Sequence, residues 1–180
     1  MNTETLSPRP GAPDAPAPFY PTDVLDPAQL RASLGAFATG VAVVTAATAD
    51  GPVGMTVNSF TSVSLTPPLI LFCTAHRSRL RPVYARATAF AVNILAEDQA
   101  DLSRRFARQG RDRFAATRWR PGTNGAPVLL GAAGVLECVG ERVVAAGDHD
   151  MVLGRVVTLH PESHRRPLLF HGGGYAHLQQ

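Results

Sequence analysis

The stretch Val41-Ala42-Val43-Val44-Thr45-Ala46-Ala47-Thr48-Ala49-Asp50-Gly51-Pro52-Val53-Gly54-Met55-Thr56-Val57 decides the fold of this chain. Residues 41–48 are rich in β-branched side chains, which suit a pleated strand. Asp50-Gly51 tolerates the positive φ of a tight reversal, and Ala49 to Pro52 therefore reads as a turn. Val53 to Val57 then returns as a second strand, which predicts an antiparallel hairpin.

Working outward, the same kind of run recurs. Leu69 to Thr74 is short, apolar and bounded by Pro67-Pro68 and Arg77-Ser78, so it reads as a buried strand. Further strands are expected over Phe90–Leu95, Val128–Leu130, Ala133–Val139, Arg142–Ala145, Met151–Leu159 and Leu168–Phe170. Helical signals are few. Asp26 can cap a helix that opens on Pro27, with Leu30, Leu34 and Phe37 on one face. Ser78 to Ala87 and Glu97 to Arg108 read as two more helices, the latter with Leu102 and Phe106 inward. Many short strands and few helices indicate a mainly β fold, an antiparallel barrel with helices packed outside, rather than a doubly wound parallel sheet.

Residues 1–21 hold Pro8, Pro10, Pro13, Pro16, Pro18 and Pro21 and few large apolar side chains, so a disordered tail is expected there. The domain then occupies residues 22–180 of the 180-residue chain, enough for one real core. The formal net charge of +3 is too mild to imply nucleic acid, and it suits a site for phosphorylated anions. Cys73 and Cys138 lie in apolar runs without metal-ligand or disulfide spacing, so both are expected to be reduced thiols. No secretory segment and no apolar run near the roughly 20 residues of a bilayer span is visible, and a cytoplasmic, membrane-free protein is expected.

Three segments carry candidate chemistry. Gly54-Met55-Thr56-Val57-Asn58-Ser59-Phe60-Thr61-Ser62-Val63-Ser64 packs hydroxyls and an amide, donors and acceptors at once, between two strands. It can hold phosphate or sugar hydroxyls, and it also suits an ordinary polar edge strand. Gly147-Asp148-His149 precedes a strand. His149 can donate to a carboxamide or phosphate with Asp148 fixing its tautomer, or the three residues can simply suit a hairpin turn. Arg104, Arg105, Arg108, Arg111, Arg113, Arg118 and Arg120 form a basic stretch that can attract anions or coat a solvated face. There is no GxGxxG, so a dinucleotide would not be held in the Rossmann manner. There is no G-x-S-x-G elbow and no metal-ligand spacing, so neither a hydrolase triad nor a metal site is read.

Taken in order, these segments resemble the short-chain flavin reductase family, the reductase components of two-component flavin monooxygenases. The resemblance runs from about Asp26 to Tyr175 through Thr39-Gly40-Val41, the segment Gly54 to Ser64, Pro67-Pro68-Leu69, Phe90-Ala91-Val92-Asn93, Gln99 and Phe106-Ala107. It continues through Gly147-Asp148-His149, Gly154-Arg155-Val156 and Pro167-Leu168-Leu169-Phe170. It implies an FMN-binding split β-barrel of antiparallel Greek-key type, paired as a homodimer with the flavin in a groove near the interface. It implies hydride transfer from NADH or NADPH to FMN or FAD, with reduced flavin passing to a separate monooxygenase.

On that basis Thr56, Asn58 and Ser59 face the flavin's phosphate-and-ribityl side or ring edge, with Met55 and Phe60 beside them. Ser62, Val63 and Ser64 line the ring, Ser78 sits near the phosphate, and Asn93 and Phe106 lie near the site. Gly147, Asp148 and His149 form the nicotinamide side, His149 being the catalytic candidate, and Tyr175 closes over the site. Relatives often carry a second hydroxyl where this chain has Leu80, a position for which Arg77 or Arg79 can substitute. The alternative is a flavin-binding split barrel of the pyridoxamine-phosphate-oxidase type without reductase activity, against which Gly147-Asp148-His149 argues.

Overall fold

A computed structural model describes residues 25–108, 110, 113–161 and 164–179. The expected N-terminal tail lies outside the described residues. Twelve strands and three α-helices follow one another in these: α1 (Pro27–Gly35), β1 (Thr39–Gly40), β2 (Ala42–Thr48), β3 (Gly51–Val57), β4 (Thr61–Leu65), β5 (Pro68–Ala75), α2 (Arg81–Arg86) and β6 (Ala89–Ile94). Then come α3 (Ala100–Ala107), β7 (Trp119–Pro121), β8 (Pro127–Leu129), β9 (Gly134–Ala146), β10 (His149–Pro161), β11 (Leu169–His171) and β12 (Gly174–Ala176).

Seven strands form one antiparallel sheet in the order β3-β2-β6-β9-β10-β5-β4. The meander β6-β9-β10 has β5 laid beside β10, which is Greek-key connectivity. The two edges, β3 and β4, are joined by residues 58–60 alone. Val57 and Thr61 are therefore at most about 15 Å apart, whereas the edges of a flat seven-stranded sheet would stand about 29 Å apart. The sheet must coil until its edges meet, and the result is a split barrel. Across the seam the Ser59 hydroxyl accepts the Cys73 amide at 2.9 Å, and the Thr74 hydroxyl lies 3.9 Å from the Met55 sulfur.

Alternating residues fill the barrel. Val44, Phe72, Phe90, Val92 and Val152 are buried with Tyr84 of α2, whose hydroxyl donates to the Val44 carbonyl at 2.7 Å. A second cluster of Val41, Val43, Leu95, Phe106, Leu129 and Leu168 packs outside the barrel under α3. Asp26 caps α1 by accepting the Ala28 amide at 2.9 Å, as its sequence predicts.

Leu30, Leu34 and Phe37 are 45, 65 and 77% exposed, and α1 buries no residue. Three expectations are corrected. The strands expected over Ala133–Val139 and Arg142–Ala145 are one strand, because a bulge at Glu141 keeps the ladder running where Arg142 and Gly140 pair with successive residues of β10. The helix expected from Ser78 begins only at Arg81, since Ser78 is engaged in a turn. The polar segment that ends at Ser64 is itself largely strand, with Thr61–Leu65 forming the edge β4.

Candidate functional site

Strand register places the candidate residues. Directly opposed residues of an antiparallel pair share a face, and faces alternate along each strand. Asp150, Val152, Ile70, Phe72 and Thr74 are buried, so their neighbours His149, Met151, Leu153, Leu69, Leu71, Cys73 and Ala75 point out of the barrel. They form cross-strand rows: Ala146–His149–Ala75, then Val144–Met151–Cys73, then Arg142–Leu153–Leu71–Thr61, and finally Arg155–Leu69–Ser64. One outer face thus carries hydroxyls at one edge, His149 at the far corner and an apolar floor between. From Thr61 to His149 it spans two strand spacings and four residues, about 10 Å across and 13 Å along.

The polar edge is shaped by a bulge. The register of β4 against β5 shifts between Ser62 and Ser64, which leaves Val63 without a partner and 47% exposed. Asn58 and Ser62 are exposed, and Phe60 and Ser64 are half-buried. Ser59 stands beside Cys73 through its seam hydrogen bond.

His149 sits at the tip of the β9–β10 hairpin, where Gly147 supplies the turn with φ +60°. Its Nδ1 lies 2.7 Å from Oδ1 of Asp148. Donation from Nδ1 leaves Nε2 directed away from Asp148 as an acceptor in the neutral ring. The hydrogen bond from His149 holds the Asp148 carboxyl below its ordinary value.

Ser78 lies at the same end of the sheet. Its amide donates to the Ala75 carbonyl at 2.8 Å and its hydroxyl accepts the Leu80 amide at 3.2 Å. Leu80 packs against the barrel core, which accounts for an apolar residue there.

Other expected residues serve the scaffold. Asn93 is fully buried: it donates to the Val43 carbonyl and the Thr45 hydroxyl, and its own carbonyl accepts the Leu129 amide at 2.8 Å. Phe106 is 1% exposed and meets Phe114 edge to face. Neither lies on the outer face that carries His149 and the β4 hydroxyls. Tyr175 lies on α3, its hydroxyl 2.8 Å from Ser103 Oγ and its ring under the Arg104 guanidinium. Thr56 joins that group by donating to the Ser103 carbonyl at 2.7 Å. Met55 is half-buried against the core. Within the basic stretch, Arg104 pairs with Asp101 inside α3, while Arg105 bonds the Ala116 carbonyl and Arg113 bonds the Gly54 carbonyl, so the latter two tie the connection down.

Sequence reasoning missed His76, Arg81 and Asp150, which cluster behind His149. The Asp150 carboxylate lies 2.8 Å from His76 Nε2 and 2.7 Å from Arg81 Nε. Only the strand register brings these residues together, because 74 and 69 positions separate them. An open depression of about 430 Å³ lies elsewhere, between α2, the end of β2 and residues 124–126, and none of the expected site residues lines it. The candidate site is an open face rather than an enclosed cavity. No helix among the described residues is long and apolar enough to cross a membrane.

A coiled antiparallel sheet split at one seam, with hydroxyls and an Asp-supported histidine on one outer face, defines the split-barrel class. Residues 34–179 match the family described as the flavin reductase like domain, and the chain belongs to that family. A longer Rhizobium meliloti protein named for flavin reductase activity is 49% identical over 154 residues, which make up 85% of this chain and 49% of that one. The reductase subunit of a flavin-dependent monooxygenase from Mycobacterium tuberculosis is 40% identical over 157 residues, covering 86% of this chain and 84% of the relative. The solved NADH:FAD oxidoreductase of Streptomyces globisporus, in complex with NAD and FAD fragments, superposes with a TM-score of 0.83 at 39% identity, covering 87% of this chain and 97% of that one. The present chain thus spans about half the length of the first of these relatives.

Proposed function

We propose that this protein reduces FMN or FAD with NADH or NADPH and supplies the reduced flavin to a partner monooxygenase. The observation that carries the reading is the single outer face on which β4, β5 and the β9–β10 hairpin gather the hydroxyl edge, the apolar floor and His149. The donor set fits a flavin: hydroxyls and exposed strand-edge amides suit ribityl and phosphate oxygens, and Leu69, Leu71, Cys73, Met151 and Leu153 suit a flat aromatic ring.

When bound, flavin supplies hydride chemistry at its N5 atom that no side chain of this protein possesses. The protein's part is position. Thr61, Ser62 and Ser64, with Asn58 and Ser59, would hold the ribityl hydroxyls and the polar edge of the ring. Backbone amides around the bulge at Val63 would offer hydrogen-bond donors to a bound ring. Ser78 marks the phosphate end. His149, held by Asp148, would orient a nicotinamide through Nε2.

The site lies open on one subunit, and the apolar face beside it extends to Val144, which is 36% exposed. A second copy of the chain laid across this face completes the groove and excludes water, so the active form is a homodimer. A cytoplasmic location accords with reduced flavin passing to a separate enzyme.

The test is direct. Purified protein is mixed with each flavin and each nicotinamide, and loss of nicotinamide absorbance is followed. Flavin-dependent turnover is expected; none with any of the four combinations refutes the reading. A flavin that binds without being reduced favours the pyridoxamine-phosphate-oxidase-like alternative.

A further inference from the structure

The turn that carries Ser78 is fastened to the hairpin that carries His149, and Asp150 makes the fastening. Asp150 follows His149 in β10, and alternation turns it to the inner face opposite Thr74. Its side chain is 4% exposed and receives His76 Nε2 at 2.8 Å and Arg81 Nε at 2.7 Å. The His76 amide also donates to the Asp148 carbonyl at 2.8 Å. Residues 148–150 therefore grip both ends of the segment from His76 to Arg81. Ser78 lies between those ends, in a turn closed by its own amide and hydroxyl.

A buried carboxylate does not itself attract a phosphate. Its effect runs through what it holds: the hydrogen bond from Arg81 keeps Asp150 ionised, and the pair fixes where the Ser78 turn stands relative to His149. Arg77 and Arg79 flank Ser78 and are carried by the same clamp.

We infer that Asp150 is a positioning residue for phosphate recognition, clamping His76 and Arg81 so that the Ser78 turn meets the phosphate of a flavin whose ring lies beside His149. This rests on the flavin reading above and names the part of the ligand that Asp150 serves. The phosphate-bearing flavins are then the preferred ligands, and riboflavin, which has the same ring and no phosphate, is held more weakly.

The experiment compares FMN and riboflavin, with FAD as a second phosphate-bearing probe. Each is titrated by flavin fluorescence, without nicotinamide, into the wild-type protein and Asp150→Asn. Wild type is expected to bind FMN or FAD more tightly than riboflavin. In Asp150→Asn the Kd for that phosphate-bearing flavin rises about tenfold, as loss of a charged hydrogen-bond partner predicts, while the riboflavin Kd stays within about twofold. In turnover the KM for that flavin rises and kcat at saturation is kept.

Arg81→Met removes one arm of the clamp on a side chain that is 43% exposed, so it carries the same test if Asp150→Asn does not fold. A smaller rise in the same direction is expected, and the double variant is less than additive. Equal losses for both kinds of flavin, no loss for either, or a wild type indifferent to the phosphate overturns the inference. A wild type that binds no flavin overturns the functional reading itself, and does so before any variant is compared.

Discussion

His160 Nε2 lies 2.7 Å from Oε1 of Glu137, a carboxylate with no exposure to solvent. Burial alone would raise the pKa of Glu137. The hydrogen bond from His160, the Asn124 amide and the Thr123 hydroxyl outweigh it and hold the group down to about 2, against an ordinary 4.5. The site even excludes a side chain at residue 122, where a Cβ on Gly122 would stand 2.7 Å from the Glu137 carboxyl carbon.

Because the folded pKa is the lower one, this carboxylate contributes stability that is fully present above about pH 4.5 and is lost as pH falls towards 2. The contribution is on the order of 3 kcal/mol. Urea unfolding from pH 7 to pH 3 is expected to show Glu137→Gln less stable at neutrality, with the gap to wild type closing in acid. A gap that stays constant across that range means the network adds nothing through its charge.

Gly154 belongs to a motif that the sequence marks, and packing explains it. A Cβ there would stand 2.3 Å from Phe90 Cζ and 3.2 Å from Cys138 Cβ. Phe90 is fully buried, so the ring cannot yield cheaply. Gly154→Ala is expected to cost about 1–3 kcal/mol or more, as overpacked cores do. Chemical denaturation reads this directly, and a variant within experimental error of wild type removes the packing explanation.

The hairpin at 41–57 was legible because its side chains and its turn agree on one answer. The edge strand Thr61–Leu65 was not. An edge faces solvent and receives few packing contacts, so hydroxyls there leave no alternation to read. The periodicity of Leu30, Leu34 and Phe37 identifies an apolar face without saying what covers it, and within one described chain nothing does. Asn93 sits in a recognisable motif because the core needs its amide, a role that residue type alone cannot separate from ligand binding. His76, Arg81 and Asp150 are ordinary residues in sequence and become a cluster only when β5 and β10 pair.

His149→Ala is expected to raise the nicotinamide KM roughly tenfold, the worth of one hydrogen bond, while flavin affinity changes by less than about twofold. Asp148→Ala should move the same parameter less, since Asp148 acts by holding the ring through Nδ1. Steady-state kinetics with each substrate varied in turn separates the two. An unchanged nicotinamide KM in His149→Ala assigns the histidine to the hairpin alone.

Replacing both Asn58 and Ser59 by leucine is expected to abolish flavin-dependent nicotinamide oxidation. The same change removes the hydroxyl that accepts the Cys73 amide across the seam. Ser59→Ala separates the two effects: it leaves the amide unpaired, at a cost of about 1–3 kcal/mol in stability, without crowding the groove. Full activity in the leucine double variant removes this loop from the site.

The apolar outer face makes the last prediction. Leu153 stands at the middle of a row from Arg142 through Leu71 to Thr61, flanked by Met151 two residues before and Arg155 two after. A carboxylate there leaves the barrel interior untouched, because Leu153 alternates with the buried Val152. If a second copy covers this face, Leu153→Glu buries a carboxylate in the interface, and desolvating that charge costs several kcal/mol even beside Arg142. Sedimentation velocity is expected to show a dimer for wild type and a monomer for Leu153→Glu; activity is not the readout, because Leu153 also belongs to the apolar floor of the site. A variant that remains dimeric moves the interface elsewhere, to the exposed face of Leu30, Leu34 and Phe37. In that case a single subunit completes the groove, and the hydroxyl edge and His149 must hold both rings unaided.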